Sequence, residues 1–171
     1  AGYPGVSSLD TLDNVVPYIG QEEEKLVIEP LKMLGTVDAA TGTVITPSIA
    51  LSPTCNRVTV RDGHLETVSV ELERDASISA VIDALRSFKS RPYALGCPSA
   101  TDPTIIYRTE NDRPQPYYDR DSGGGMAVTV GRLRPREVLD YKMVVLSHNT
   151  IRGAAGGSIL NAELMIAEGL L

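Results

Sequence analysis

Residues 55–64 read Cys-Asn-Arg-Val-Thr-Val-Arg-Asp-Gly-His, and residues 65–72 continue with Leu-Glu-Thr-Val-Ser-Val-Glu-Leu. Two alternating runs flank Asp62-Gly63, and an Asp-Gly pair between such runs predicts a tight two-residue β-hairpin. Because successive side chains on a strand point to opposite faces, His64 shares a face with Val68 and Val70. The stretch therefore predicts a central hairpin with His64 at the mouth of an apolar row that faces the core.

Arg57 joins His64 as a candidate site residue because the hairpin register places both on one face. In a regular ladder the two are about 13 Å apart, so a small substrate must span the gap or the strand must be irregular. A guanidinium matches a carboxylate with its planar fork, and an imidazole exchanges protons near neutral pH. The alternative, which the pattern alone favours, is a surface strand charge at Arg57 and a satisfied edge histidine at His64.

The composition is that of an ordinary globular domain, with 171 residues, 42% hydrophobic and 22% charged, and a net charge of −6. We expect one domain over 1–171. The negative charge argues against a nucleic-acid or anionic membrane partner, and no apolar run approaches the length of a bilayer span. Cys55 and Cys97 fit neither a disulfide framework nor a metal-ligand spacing, which predicts no metal site and a reducing, cytoplasmic setting.

The patterns along the rest of the chain predict helices and strands together. The strongest predicted helix begins at Asp75 or Ser77 and ends at Phe88, because its apolar residues recur at helical spacing. Strands at 126–133 and 139–146 are expected to form an antiparallel pair in the sheet of the hairpin. The other predicted elements are a helix at 21–34 that Pro30 kinks or splits, strands at 43–51 and 104–108, and a helix at 158–168.

Two polar features allow two interpretations each. Residues 111–125, NDRPQPYYDRDSGGG, form either a flexible surface, which the composition favours, or a subunit contact through Tyr117 and Tyr118. Glu22 and Lys25 lie three residues apart on one helix face, where a solvated surface salt bridge is the favoured interpretation.

A glycine-rich cluster at 153–157, Gly-Ala-Ala-Gly-Gly, precedes the last predicted helix. It allows either a ligand docked close to its backbone amides or close packing of the helix on the sheet, and the sequence does not separate the two. His148, at the end of the preceding strand, is expected to make local hydrogen bonds.

Six stretches of the chain together resemble NADP-dependent aspartate-semialdehyde dehydrogenase, in particular its fungal and archaeal branch. They are Ala-Gly-Tyr-Pro-Gly-Val at 1–6, Gln-Glu-Glu-Glu-Lys at 21–25, Asn-Arg-Val-Thr-Val-Arg-Asp-Gly-His at 56–64, Asp-Arg-Pro-Gln-Pro at 112–116, Gly-Met-Ala-Val-Thr-Val-Gly-Arg at 125–132 and His-Asn-Thr-Ile-Arg-Gly-Ala-Ala-Gly-Gly-Ser-Ile-Leu-Asn-Ala-Glu-Leu at 148–164. The resemblance runs from end to end, and the blocks at 56–64 and 148–164 are the most specific.

This resemblance implies an α+β fold like the C-terminal domain of glyceraldehyde-3-phosphate dehydrogenase, a mixed β-sheet with helices packed on one face. Such a domain binds the small-molecule substrate and makes the contact of a homodimer or tetramer. The implied reaction interconverts L-aspartyl-4-phosphate and L-aspartate-4-semialdehyde with NADP, through a cysteine thioester, on the way to lysine, threonine and methionine. NADP itself is bound mainly by a separate Rossmann domain.

The resemblance also implies a role for individual residues. His64 matches the acid/base histidine, and Arg57 matches the arginine that clamps the substrate carboxylate. Glu22 and Lys25 match a Glu-x-x-Lys pair on the substrate side, toward the amino and phosphate groups. The loop at 149–157 approaches the nicotinamide end of the cofactor, through Asn149, Gly153 and Gly156.

The nucleophile is the main departure from the family pattern. In the family it lies in an Asn-Cys-Ser/Thr context upstream of a Ser-Gly-Ala-Gly turn, and this chain begins inside that turn. Cys55-Asn56 has the reverse order and does not match it. We therefore expect residues 1–171 to lack both the nucleophile and the Rossmann domain, and to be inactive alone. The alternatives are a non-catalytic dimerisation module and a related malonyl-CoA reductase.

Overall fold

The computed structural model describes residues 8–171, so the stretch at 1–6 that contributes to the resemblance lies outside it. Contacts divide the chain into two compact units, Ala1–Thr59 and Val60–Leu171. The prediction of one domain over 1–171 stays a prediction.

The first unit contains one long helix and a small sheet. After a 3₁₀ turn at Ser8–Thr11 come helix α1, Glu22–Met33, and the antiparallel two-residue strands β1, Thr36–Val37, and β2, Val44–Ile45. Pro30 does not split α1, because the helix ends three residues after it and loses only one hydrogen bond to the missing N–H. The strand predicted at 43–51 is wrong beyond Ile45, since Pro47 follows with no N–H to continue a ladder.

The second unit is built on a four-stranded mixed sheet in the order β3-β6-β5-β4. Its strands are β3, His64–Val70; β4, Ile105–Arg108; β5, Val128–Pro135; and β6, Tyr141–Ser147. The predicted antiparallel pair of β5 and β6 is confirmed, with a break in register between Gly131 and Arg134. Strand β4 runs parallel to β5 at the edge of the sheet.

The hairpin predicted around Asp62-Gly63 is wrong. Strand β3 pairs along its whole length with β6, and His64 lies opposite Ser147. Arg57 instead forms an isolated antiparallel bridge with Val16, with N···O distances of 2.9 and 3.1 Å. The Asp-Gly signal is local, whereas the ladder with β6 adds β3 to a strand whose side chains are already buried, and that larger apolar burial decides the pairing.

Helix α2, Ile78–Ser87, begins where the sequence predicts, because the Ser77 hydroxyl accepts a hydrogen bond from the Ala80 amide at 3.2 Å. It packs near β4, where the Arg86 guanidinium lies 5.2 Å from the centroid of the Tyr107 ring. None of its residues is fully buried, so its apolar face is only partly covered. The remaining helices are α3, Arg91–Ala94; α4, Pro116–Asp119; and α5, Gly156–Ala167, which follows a π-helical turn at Ile151–Ala155.

The second unit has a buried core, and other segments of the chain pack on both faces of its sheet at β4 and β5. Cys97, Met126 and Leu160 form the buried cluster that joins α5 to the loops around it. A Cβ on Gly131 would lie 2.4 Å from the Arg113 carbonyl oxygen, so the chain around Arg113 packs directly on that residue. Val130 and Gly131 are neighbours on β5, so they point to opposite faces of the sheet. Tyr107, which lies near α2, pairs with Val130. The segment around Arg113 and helix α2 therefore lie on opposite faces of the sheet.

Candidate active site

His64 is the first residue of β3, and its side chain is exposed. Val68 and Val70, which share its face, are half-buried, whereas Leu65, Thr67 and Ser69 on the other face are exposed. Its face is therefore the one the sequence predicted, although its strand partner is different. An imidazole fixed at the end of a paired strand, with its ring in solvent, can take up and release protons at a substrate.

The turn before His64 is fixed by a loop from the other end of the second unit. The Gly63 amide donates a hydrogen bond to Asn149 Oδ1 at 2.8 Å, across 86 positions of sequence. The Arg120 guanidinium donates to the Asp62 carbonyl oxygen at 3.5 Å, and the Thr150 hydroxyl lies 3.4 Å from the Asp62 carboxylate. No local signal in the sequence pairs the two segments, so these contacts cannot be predicted from it.

His148 makes the local hydrogen bonds that the sequence predicts. It is only 5% exposed, and its Nδ1 accepts from the Ile151 amide at 3.3 Å. The Thr150 hydroxyl also lies 3.3 Å from Nδ1, and Nε2 lies 3.6 Å from an Asp121 carboxylate oxygen. Because Nδ1 accepts from a backbone N–H, a neutral His148 carries its proton on Nε2. This buried ring orders the loop that holds Gly63.

The glycine-rich cluster contains both tightly packed and open positions. A Cβ on Gly156 would lie 2.6 Å from Met126 Sδ and 3.0 Å from the Ile151 carbonyl oxygen. A Cβ on Gly157 would lie 2.3 Å from the Arg152 carbonyl oxygen, whereas on Gly153 the nearest atom is 3.7 Å away. Close packing therefore accounts for the later glycines, whereas a Cβ on Gly153 would make only an ordinary van der Waals contact. The cofactor roles of Asn149, Gly153 and Gly156 stay predictions.

The other predicted substrate residues belong to the first unit. Lys25 Nζ lies 3.3 Å from Glu22 Oε1, and both side chains are about half exposed, at 51% and 45%. This is the surface salt bridge that the spacing predicts. Arg57 is half-buried and its backbone bridges Val16. The roles of Arg57, Glu22 and Lys25 toward a substrate stay predictions, as does the role of His64.

The interpretation of 111–125 as a flexible surface is wrong, because the segment surrounds a buried carboxylate. Asp119 is 1% exposed and accepts hydrogen bonds from Arg113 Nε at 2.7 Å, the Gln115 amide at 2.7 Å and Arg108 Nη2 at 3.0 Å. Burial alone would raise the pKa of Asp119, but the bonds from Arg113 and Gln115 and the charges of Arg113 and Arg108 hold it below its usual value.

Tyr117 and Tyr118 remain on the surface of the same segment. They are 77% and 63% exposed, and their rings meet edge to face with centroids 5.0 Å apart. The Arg113 guanidinium lies 5.3 Å from the centroid of the Tyr118 ring. Exposed aromatic side chains beside an arginine are typical of protein interfaces, so the subunit-contact interpretation stays open.

Residues 8–171 contain neither a cluster of metal ligands nor a membrane-spanning helix. Within this part of the chain, His, Cys, Asp and Glu side chains nowhere gather in a group of three or more that could hold a metal ion. None of the helices described there combines the length and apolar character needed to cross a bilayer. Cys55 and Cys97 are not joined by a disulfide, and Cys97 is buried in the core.

A mixed sheet packed with helices defines an α+β domain, here with a histidine at the end of a strand. Solved structures share this fold. Aspartate semialdehyde dehydrogenase with NADP from Candida albicans matches with a TM-score of 0.92 and 46% identity, over 98% of this chain and 48% of that chain. Aspartate semialdehyde dehydrogenase II from Vibrio cholerae matches with a TM-score of 0.68 and 29% identity, over 90% of this chain and 41% of that chain. The predicted fold class is confirmed.

Curated sequences agree with the structures. Aspartate-semialdehyde dehydrogenase from Archaeoglobus fulgidus is 48% identical over 171 residues, which are 100% of this chain and 48% of the relative. The Schizosaccharomyces pombe enzyme is 47% identical over 175 residues, 100% of this chain and 49% of the relative. The chain thus spans about half the length of the curated relatives it matches.

A family model described as semialdehyde dehydrogenase, dimerisation domain, matches residues 2–152. The chain belongs to this family, which confirms the resemblance.

Proposed function

We propose that this chain is the substrate-binding and dimerisation half of an NADP-dependent aspartate-semialdehyde dehydrogenase that works in the cytoplasm. The observation that carries the proposal is the match over the whole chain to relatives twice its length. In this proposal the remaining half supplies the nucleophilic cysteine and most of the NADP site. The burial of Cys97 supports a nucleophile other than this residue, since a buried thiol in apolar surroundings is inert.

His64 is the proposed acid/base group of this half. It takes the proton from the cysteine thiol, and the thiolate sulfur then bonds to the aldehyde carbon of aspartate semialdehyde. NADP, when bound, supplies the acceptor for the hydride that leaves this carbon. A phosphate oxygen then displaces the sulfur to give aspartyl phosphate, and the regenerated thiolate can recover its proton from His64. An exposed ring at the end of a fixed strand suits this exchange.

Arg57, Glu22 and Lys25 are the proposed substrate-binding groups. A guanidinium binds the substrate carboxylate with two parallel hydrogen bonds, while a carboxylate and an ammonium suit the amino group and the phosphate. Glu22 and Lys25 are each about half exposed, so both charges are open to a charged substrate.

The loop at 149–157 is the proposed contact with the nicotinamide end of the cofactor. Gly153 has no side chain to hinder close approach, and within residues 8–171 the only atom near the position of its Cβ is the His148 carbonyl oxygen, in ordinary contact at 3.7 Å. The Asn149 side chain uses its oxygen toward Gly63, which leaves its amide nitrogen able to donate to a carboxamide. Gly156 contributes through packing, which holds the start of α5 close to Met126.

The proposed protein partner is a second copy of the chain, in a dimer or a tetramer. The family's description as a dimerisation domain and the exposed Tyr117–Tyr118 pair support it. Light scattering behind a sizing column gives the mass of the assembly. A full-length protein that elutes as a monomer at micromolar concentration would contradict the proposal.

The proposed activity is tested with the full-length polypeptide that carries these residues. We expect NADPH formation from aspartate semialdehyde only when phosphate is present, and none from the 171-residue chain alone. Malonyl-CoA is offered with NADPH as the competing substrate. NADPH oxidation with malonyl-CoA but no reaction with the semialdehyde would favour the reductase, and no reaction with either would favour a non-catalytic module.

A further inference from the structure

We propose that Asn149 is a positioning residue for His64, holding the backbone from which the imidazole projects. The inference rests on the proposed function, in which His64 is the acid/base group. It gives the Asn149 side chain a second role, beside the cofactor contact that the family resemblance implies. The loop at 148–151 then sets the position of the group that moves the proton.

The contact between Asn149 and Gly63 has a defined direction. The Gly63 amide can only donate, so the atom of the Asn149 side chain 2.8 Å away must be the oxygen. Gly63 has φ of +105°, a conformation that L side chains rarely adopt, and it immediately precedes the first paired residue of β3. Without the acceptor on Asn149 this amide has no partner among residues 8–171, because the ladder to β6 begins only at His64.

The residues around Asn149 are themselves fixed. His148 is buried and accepts the Ile151 amide, so the loop is anchored on both sides of Asn149. The Thr150 hydroxyl lies 3.4 Å from the Asp62 carboxylate, which gives the same two segments a second contact. His64 is therefore held from two directions, by Ser147 through the ladder and by Asn149 through Gly63. Misplacing a proton-transfer group by about 1 Å can cost on the order of a hundredfold in rate.

The arrangement joins two steps of the proposed reaction. Asn149 holds Gly63 through its oxygen, and its amide nitrogen is left to meet the cofactor. A change at the cofactor end of the loop would then be passed to the imidazole through one side chain. A role in cofactor binding alone makes no use of the Gly63 contact.

Hydrogen exchange of the full-length polypeptide tests the contact without any reference to activity. Mass spectrometry of overlapping peptides across residues 60–66 resolves the Gly63 amide. Asn149→Ala is expected to speed its exchange by about tenfold, and Asn149→Asp, which keeps an oxygen acceptor, by much less. Asn161→Ala, at an exposed position of α5, is the matched control and should leave these peptides unchanged. Equal exchange in the wild type and Asn149→Ala would overturn the proposal.

Steady-state kinetics test the consequence. Asn149→Ala is expected to lower kcat roughly tenfold to a hundredfold, with little change in KM for the semialdehyde. Asn149→Asp should keep most of kcat. The two proteins are compared at the plateau of each pH profile, so that a shift of the profile by the added charge is not counted as a loss of kcat. If Asn149 serves only as a donor to the cofactor, both variants raise KM for NADP alike, and that result contradicts the positioning role.

A double-mutant cycle separates positioning from general damage. In a His64→Gln background there is no imidazole left to misplace, so Asn149→Ala should cause no further loss of kcat. Fully additive losses would refute the coupling. If the wild type is inactive toward the semialdehyde, the proposed function fails, while the exchange result still decides whether Asn149 holds the turn.

Discussion

The Asp119 cluster and the turn before His64 both hold polar groups in the second unit, but they do so in different ways. Asp119 is buried and receives hydrogen bonds from Arg113, Gln115 and Arg108. The His64 side chain is exposed and makes no hydrogen bond with any residue from 8 to 171, and only its backbone and that of Gly63 are held. A group whose bonds are all satisfied stabilises the fold, whereas a group fixed only through its backbone is available for chemistry.

The largest expected effect follows from this contrast. His64→Gln in the full-length protein should lower kcat by about 10²- to 10⁴-fold, because it removes the proposed proton carrier. The free energy of unfolding should stay within about 0.5 kcal/mol of the wild type, since the ring is exposed. Activity assays and chemical denaturation measure the two quantities. His148→Gln, which alters a buried ring, is the comparison and should cost stability; a His64→Gln protein that unfolds easily would break the distinction.

Asp119→Ala should have the opposite profile. Removing the carboxylate leaves two guanidinium groups and the Gln115 amide without their acceptor, at a cost of about 3 kcal/mol in the free energy of unfolding. The shift of the denaturation midpoint measures this loss. Asp83→Ala, at an exposed carboxylate on α2, is the matched control and should change stability by less than about 0.5 kcal/mol. Similar losses in both variants would mean that the buried cluster adds nothing.

The pH dependence of stability sharpens the same point. Because the pKa of Asp119 is lowered from its ordinary value of 3.8, the ionised form is favoured in the folded state. Its contribution is fully present above that ordinary value and is lost as the pH falls through the lowered pKa. The stability difference between the wild type and Asp119→Ala should therefore stay constant from neutral pH to about 5 and shrink below about 4. A difference that grows on acidification would contradict the assigned shift.

Local patterns predicted what depends on local sequence. The alternation in 126–133 and 139–146 gave the β5–β6 pair, and the helical spacing after Ser77 gave α2 with its cap. The Asp62-Gly63 signal failed because the true partner of β3 is β6, whose first residue comes 71 positions after the last residue of β3. Pairing over that distance is decided by burial on the assembled sheet, which no window of the sequence contains.

The candidate site shows the same division. The position of His64 on a strand was visible in the sequence, although its role stays a prediction. The contact from Asn149 to Gly63 and the burial of Asp119 were not visible, because each needs a partner from another element. Asn149 needs the turn before β3, and Asp119 needs Arg108 of β4. The composition of 111–125 favoured a flexible surface, because it shows how many charged residues the segment has but not that Arg113 and Asp119 pair with each other.

The smallest expected effect concerns two glycines that the family resemblance places together near the cofactor. Gly156→Ala should destabilise the protein by about 1–3 kcal/mol, because its Cβ would lie 2.6 Å from Met126 Sδ and 3.0 Å from a backbone oxygen of Ile151. Gly153→Ala has its nearest neighbour 3.7 Å away and should leave the denaturation midpoint unchanged. If Gly153 approaches the cofactor, its alanine variant should raise KM for NADP without loss of stability. Kinetics and denaturation of the two variants therefore separate a glycine that contacts the cofactor from one that is needed for packing. Loss of stability in Gly153→Ala, or none in Gly156→Ala, would reverse these assignments.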